Sequence, residues 1–413
     1  MNHKTSISYY YDSISYDLEF SNVIIDEVEK LFPTSITSTN NEIFSLSDYH
    51  QPTVTLDVLL TNYSVEKTAT GKNYLKLTFS TAGGSIPAKM WDNGQLFQTI
   101  ECLESSKSNV FYIEAKVEEY PPASGNNSLT LTHLEDCSRN VPPYELLPTT
   151  NKNILKLATE LMVYINELDE PFQSIAKKSI EKWSAEFSTK AAAKRMHHAF
   201  IGGLLEHTVG LLRFIHFLEK APTVEDGCIT LSKIAIQESC RELFYSLKNN
   251  EVKREFDYAW SNSIDHIQTL LRKYIIFNQE TVIDFNVIKL AVLLHDFGKI
   301  LEYTHYGENY DVKWKSMFPT SVTNQNNLLK PTGINIDTIG GYIGHIPLSM
   351  MMLQTILAEN NIEISLPVIG EVMHCIAAHH GKIEWGSSAQ LATVNAIIVH
   401  YVDFLDSRYG GQK

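Results

Sequence analysis

Cysteine is scarce. The 413 residues hold five, none arranged as C-x-x-C, and an odd number cannot all pair with one another. That argues against a disulfide framework and against a cysteine-based zinc site, and it fits a reducing compartment. Long apolar runs are missing too. No stretch approaches the roughly 18 residues that a membrane span requires. The opening MNHKTSISYYYDSISYDLEF has no apolar run behind its lysine, so no secretory signal is expected. The expected location is the cytoplasm. Positive charge is in deficit, with 34 Lys and Arg against 48 Asp and Glu and a net charge of −14. Phosphate contacts need Lys and Arg, so a chain this acidic is no general duplex binder. Any nucleic-acid site must be local. Internal repeats are absent as well.

What is present suffices for a sizeable core: 44% of residues are apolar and 20% charged, the usual balance of a soluble globular protein. At about 100–200 residues per domain, two or three domains are expected. Residues 1–50 form a polar arm, with one short helix expected over Val23–Phe32 and no assigned chemistry. Residues 52–139 read as strands. Val54, Leu56 and Val58 alternate with polar positions. Leu75, Leu77 and Phe79 follow a turn at Thr70–Lys72, and Ile86, Ala88 and Met90 follow Gly83-Gly84. Val110–Lys116 and Ser128–Leu134 complete the set. Short alternating strands between Gly, Asn and Pro turns predict a small antiparallel barrel. At five strands this is the OB-fold, a frequent oligonucleotide binder, although packing or dimerisation is the alternative use.

A linker over 140–150, containing Val141-Pro142-Pro143, leads to a helical pattern from Asn151 to about residue 410. Apolar residues at spacings of three and four predict helices around Ile154–Ile165 and Phe200–Ile215. Further apolar helices are expected at Val287–Leu294, Leu366–Ala378 and Ala389–Leu405. Residues 222–284 read as a polar helical insertion and 303–338 as loop-rich.

The chemistry lies in histidines and aspartates at the ends of apolar helices: His207, His295-Asp296, His345, His379-His380 and Asp403. A lone His on an apolar face is more often a core residue. Adjacent polar groups ending a buried helix are costly unless paired or metal-bound. Imidazole with carboxylate suits first-row divalent metals. Two such ions about 3.5–4 Å apart can clamp the attacking and leaving oxygens of a phosphoryl displacement.

The order H…HD…H…HH…D resembles the HD superfamily of metal-dependent phosphohydrolases. The local strings are Gly202-Gly203-Leu204-Leu205-Glu206-His207, Leu294-His295-Asp296-Phe297-Gly298-Lys299, Gly344-His345, His379-His380-Gly381-Lys382-Ile383-Glu384-Trp385-Gly386 and His400-Tyr401-Val402-Asp403-Phe404-Leu405-Asp406. With Ala191–Lys194 and His197-His198, they are similar to the YhaM-type 3′–5′ exoribonucleases, which join an N-terminal OB domain to an HD domain. The match spans roughly residues 52–220 and 284–408.

That resemblance implies a multidomain α+β protein, a five-stranded OB barrel followed by an all-α HD domain. It implies His207, His295, Asp296 and Asp403 as ligands of a first metal. His345, His379 and His380 would serve a second metal with Asp296 bridging, or contact phosphate if one ion binds. Manganese is the first expectation, with Fe, Co, Ni, Zn or Mg as alternatives. Lys299, beyond His295, would neutralise a phosphate oxygen in concert with Asp296, or be a plain helix-end lysine. His197 and His198 are read as substrate or ligand-supporting groups. His374 and His400 are read as core or supporting residues. Lys190, Lys194 and Arg195 form a basic cluster, either a phosphate track or a solvated face. In the barrel, Tyr63, Tyr74, Phe79 and Trp91, with Lys72, Lys76 and Lys89, are candidates for stacking and phosphate contact, some of the aromatics being core. The implied substrate is single-stranded RNA or DNA, with nucleoside monophosphates released. A homo-oligomer is allowed. Rival readings are a phosphohydrolase of nucleotides or cyclic nucleotides and a non-catalytic single-strand-binding protein.

Overall fold

The computed structural model describes residues 18, 20–32, 46, 51–106, 108–119, 127–137, 141, 143–194, 198–248, 263–305, 310–321 and 334–410. Arg195 and His197 lie outside the described residues, as do most of the N-terminal arm and the middle of the insertion. Helix α1 (Asn22–Leu31) begins where the Ser21 hydroxyl accepts from Ile24 N, a regular N-cap.

The strands are β1 (Thr53–Lys67), β2 (Asn73–Thr81), β3 (Gly84–Trp91), β4 (Val110–Glu119) and β5 (Asn127–Asp136). They form a closed barrel in the order β1-β2-β3-β5-β4. Closure comes from β1 pairing with β4, Leu56 opposite Ile113, and from a short parallel contact of Ala88 with Leu129 between β3 and β5. Period-two alternation sends Leu75, Leu77 and Phe79 inward, where they are buried with Val58, Ile113 and Leu129. The barrel fits the OB-fold. Helix α2 (Leu96–Ser105), between β3 and β4, packs Leu96, Ile100 and Leu103 against this core. The strand-only reading of 52–139 missed it.

The helical region comprises α3 (Ile154–Asn166), α4 (Phe172–Thr189), α5 (Gly203–Lys220), α6 (Val224–Lys248), α7 (Asp265–Phe277), α8 (Phe285–Leu294), α9 (His345–Asn360), α10 (Leu366–Ala378) and α11 (Val394–Leu405). Helix α8 is the axis: every residue from Val287 to Leu294 is buried, and α4, α5, α10 and α11 pack around it. Lys289, its one charged residue, is paired with Glu167 and Glu219, and a helix otherwise this apolar has to sit in such a position. Helix α11 starts at Val394 and not at Ala389, because the Thr393 side chain caps it by accepting from Ala396 N. The loop-rich stretch after Tyr303 contains a two-stranded ribbon, β6 (Tyr303–His305) with β7 (Ile334–Ile336).

Contacts among the described residues tie the chain's parts together. Helix α1 adds Val28 and Phe32 to the helical core, and Ser184 donates to Leu31 O at 2.6 Å. The barrel meets the helices through a small buried cluster of Leu59, Val110, Leu146, Leu147 and Ile201. There Ser80 donates to Leu146 O at 2.7 Å, and Thr149 bridges to Ile201 just ahead of α5. Among the described residues, no helix is long and apolar enough to cross a membrane.

Candidate metal centre

Each candidate side chain is delivered by the end of a packed helix. His207 stands in the first turns of α5. Helix α8 stops at Leu294, and a tight turn presents His295 and Asp296. That turn is pinned from α9: Ser349 accepts from Gly298 N at 2.8 Å and donates to His295 O at 2.9 Å. A Cβ on Gly298 would lie 2.0 Å from the His345 carbonyl oxygen, so the close approach requires glycine. His345 opens α9, His379-His380 follow α10, and Asp403 lies on α11.

These residues converge on a pocket of about 270 Å³ whose walls include His207, Asp296, His379, His380 and Asp403. Asp296 stands in the middle, buried. Its Oδ2 is 3.3 Å from His295 Nε2 and 3.6 Å from His207 Nε2. Its Oδ1 is 3.6 Å from His345 Nε2 and 3.7 Å from His379 Nε2. His207 Nε2 also lies 3.2 Å from Asp403 Oδ1, and His345 Nε2 lies 3.3 Å from His380 Nε2. One carboxylate thus faces two clusters: His207, His295 and Asp403 on one side, and His345, His379 and His380 on the other.

Ring orientations show what the clusters fit. His295 Nδ1 donates to Val292 O and His379 Nδ1 to Ile376 O, each at 2.7 Å. His207 Nδ1 is bound to Asp406 at 2.6 Å and His345 Nδ1 to Glu302 at 2.9 Å. With Nδ1 so engaged, the four rings aim their Nε2 atoms inward. His207 Nε2 and His295 Nε2 then face each other at 3.2 Å, which two lone pairs tolerate only with a cation or proton between them. Asp296 Oδ1 is buried and, among the described residues, has no hydrogen-bond donor. Nitrogen and oxygen donors in this arrangement fit divalent metal ions.

The carboxylates around His207 favour positive charge on this side of the centre. Burial disfavours charge on His207, but hydrogen bonds to Asp403 and Asp406 overcome it and raise the imidazolium to about 10. Burial likewise opposes ionisation of Asp296, yet Lys299 and His295 hold it well below the usual carboxylate range. Asp403 is held low by His207 against the effect of burial. Burial and the neighbouring rings keep His379 and His380 neutral. Lys299 Nζ lies 2.5 Å from Asp296 Oδ2 and lines the same pocket.

The remaining sequence candidates separate. His198 is buried in a left-handed conformation, φ 57°, and its Nε2 contacts Asp406 at 2.9 Å. His400 bonds His379 O through Nδ1 at 2.6 Å, and His374 accepts from Ala392 N at 3.2 Å, so both support loops around the ligands. Lys194 is exposed, whereas Lys190 is buried with Nζ on Tyr303 O, so the two share no surface track. In the barrel, Phe79 is core, and the Tyr63 hydroxyl donates to Glu104. Tyr74 and Trp91 are paired across β2 and β3 with ring centroids 5.3 Å apart, and Lys76 is opposite Lys89 on the same outward face. Lys72 sits in the exposed turn between β1 and β2.

Sequence reasoning assigned no role to Asp406, Glu302, His266 or Trp385. Asp406 is fully buried and holds both His198 and His207. Such carboxylates fix the ligand's tautomer and orientation. The signal was its place three residues after Asp403, one turn along the same helix end. Asp406→Asn should weaken divalent-metal affinity about 10–100-fold while leaving the helical content intact. Calorimetric metal titration of the two proteins checks this, and unchanged affinity would remove Asp406 from the centre.

No family model matches the chain. It is similar, however, to curated bacterial proteins named 3′–5′ exoribonuclease YhaM. Identity is 23% to that of Bacillus velezensis, over 82% of this chain and 79% of the relative. It is 24% to that of Listeria monocytogenes, over 84% and 83%, and 25% to that of a Geobacillus species, over 86% and 82%. These similarities support kinship with hydrolytic nucleases.

Proposed function

We propose that this chain is a divalent-metal-dependent 3′–5′ exoribonuclease of the HD type, acting on single-stranded RNA. The observation that carries the reading is Asp296, whose two oxygens face two separate clusters of inward-aimed histidines. His207, His295, Asp296 and Asp403 would hold one ion, and His345, His379 and His380, with Asp296, a second. Bound cations supply Lewis-acid charge at phosphorus oxygens and ease deprotonation of water. The chain's own groups do the rest. Asp406 and Glu302 hold His207 and His345 in the tautomers that present Nε2. Lys299, whose ammonium is on hand at Asp296, offers charge to a nonbridging phosphate oxygen. Water adds to phosphorus, the bond to the 3′-oxygen of the preceding nucleotide breaks, that oxygen takes a proton, and a nucleoside monophosphate leaves.

The recessed centre favours a flexible strand end over an intact duplex. The outward Tyr74–Trp91 and Lys76–Lys89 pairs on the barrel suit a stacked single strand despite the acidic chain. DNA shares the phosphates and bases, so a DNA strand belongs in the same assay. A 5′-labelled RNA with an internal hairpin should yield a descending ladder that stops near the hairpin, and a circular RNA of the same sequence should stay intact. A 3′-terminal phosphate should slow the first step. Rapid cutting of the circle would mean an endonuclease. Turnover of free nucleotides with neither polymer attacked would replace this reading with a small-nucleotide phosphohydrolase.

A further inference from the structure

The proposed metal ligands account for the floor of the pocket. Its rim carries one large exposed aromatic among the described residues lining it, Trp385, 39% exposed. The loop bearing this ring is fixed. Trp385 N and Ser387 N both donate to Lys382 O at 3.1 Å, and Ser388 N donates to Ala377 O at 2.9 Å, on the helix that delivers His379 and His380. Gly381, at φ 79°, sets the loop's direction, and a Cβ there would strike the His400 ring at 2.2 Å. His266, from the inserted helix α7, packs edge-on against Trp385 with centroids 4.8 Å apart. It also meets His400 Nε2 at 2.8 Å. The ring is therefore braced from behind by the insertion. Lys382 Nζ lies over it 4.3 Å from the centroid, so an arriving base takes this face by displacing a flexible, exposed lysine end.

We propose that Trp385 is the stacking platform for the base of the 3′-terminal nucleotide, positioned by His266 of the insertion, with Lys382 at hand for that nucleotide's phosphate. This rests on the exoribonuclease reading and specifies how its substrate end is held. A flat apolar ring on a rigid loop is what an unpaired base stacks upon, whatever its identity. The site is therefore tolerant of sequence but demands a base.

The test compares two 5′-labelled single-stranded RNAs, identical except that one ends in an abasic 3′-terminal ribose. The wild-type protein should cleave the intact end with roughly 5- to 100-fold higher kcat/KM, the range of base–aromatic stacking, mainly through KM. Trp385→Ala should bring the ratio near one, with metal content and turnover of the abasic RNA unchanged. Trp385→Phe should keep most of the preference. Discrimination surviving in Trp385→Ala overturns the proposal while leaving the nuclease reading standing. So does a wild-type protein indifferent to the base, or equal loss on both RNAs. If the wild-type protein degrades neither RNA, the nuclease reading falls and Trp385's role falls with it.

Discussion

Asp296→Asn should strip bound divalent metal and lower RNA hydrolysis by roughly 10³-fold. Among the described residues, Asp296 is the side chain whose two oxygens face the two histidine clusters, so its charge bears directly on His207, His295, His345 and His379. The amide is nearly the same size, so packing around the His295 turn is preserved. What goes is the negative charge. With it goes the counter-ion of Lys299, and the ammonium becomes a repulsive neighbour for any cation. Lewis-acid stabilisation of a phosphoryl transition state is worth several kcal/mol, and each 1.4 kcal/mol or so is tenfold in rate. His295→Ala should act similarly by removing a ligand without removing the charge. Metal analysis of the purified variants, with circular dichroism to verify folding, checks both. Full activity with metal retained in either variant would sink the site assignment.

The second large effect lies far from the chemistry. Replacing both Trp91 and Tyr74 with alanine should weaken binding of a long single strand by roughly 30- to 10,000-fold, at about 1–3 kcal/mol per stacked base. Hydrolysis of a small model phosphodiester should be unchanged. The two rings face outward, Trp91 46% exposed, and neither belongs to the buried set inside the barrel. Lys89 lies 5.2 Å over Trp91 and is paired with Glu118 at 2.7 Å, a partner it would exchange for a backbone phosphate. Affinity should also fall with added salt, since phosphate contacts release counterions. Equal oligonucleotide affinity in the double variant would take substrate grip away from this face. Point substitutions are the better probe than truncation at Asn151, because truncation also removes α1 and uncovers the core around Val28 and Phe32.

Much of the centre was legible because its residues are conspicuous locally. His295-Asp296 ends a run of apolar residues, and His379-His380 does the same, so each announces a cost that something must offset. Helix α10 was readable to its ends because its apolar spacing and its termini agree. What stayed hidden depends on contacts between distant parts of the chain. Asp406 reaches back to His207 across nearly the whole helical region, and His266 reaches Trp385 from an insertion that looked merely polar. The barrel aromatics needed the register: Tyr74 and Phe79 differ by an odd number of positions along β2, so one faces out and the other in. Helix α2 was overlooked although Leu96, Ile100 and Leu103 have helical spacing, because its strand neighbours dominated the reading.

The most direct test is metal content measured alongside degradation of a 5′-labelled single-stranded RNA. The protein should carry one or two divalent ions per chain and lay down a stepwise ladder shortening from the 3′ end. A chelator should abolish the ladder, and Mn²⁺ or another first-row ion should restore it. A ladder that persists after complete metal removal would contradict the reading of Asp296 as the heart of a metal centre.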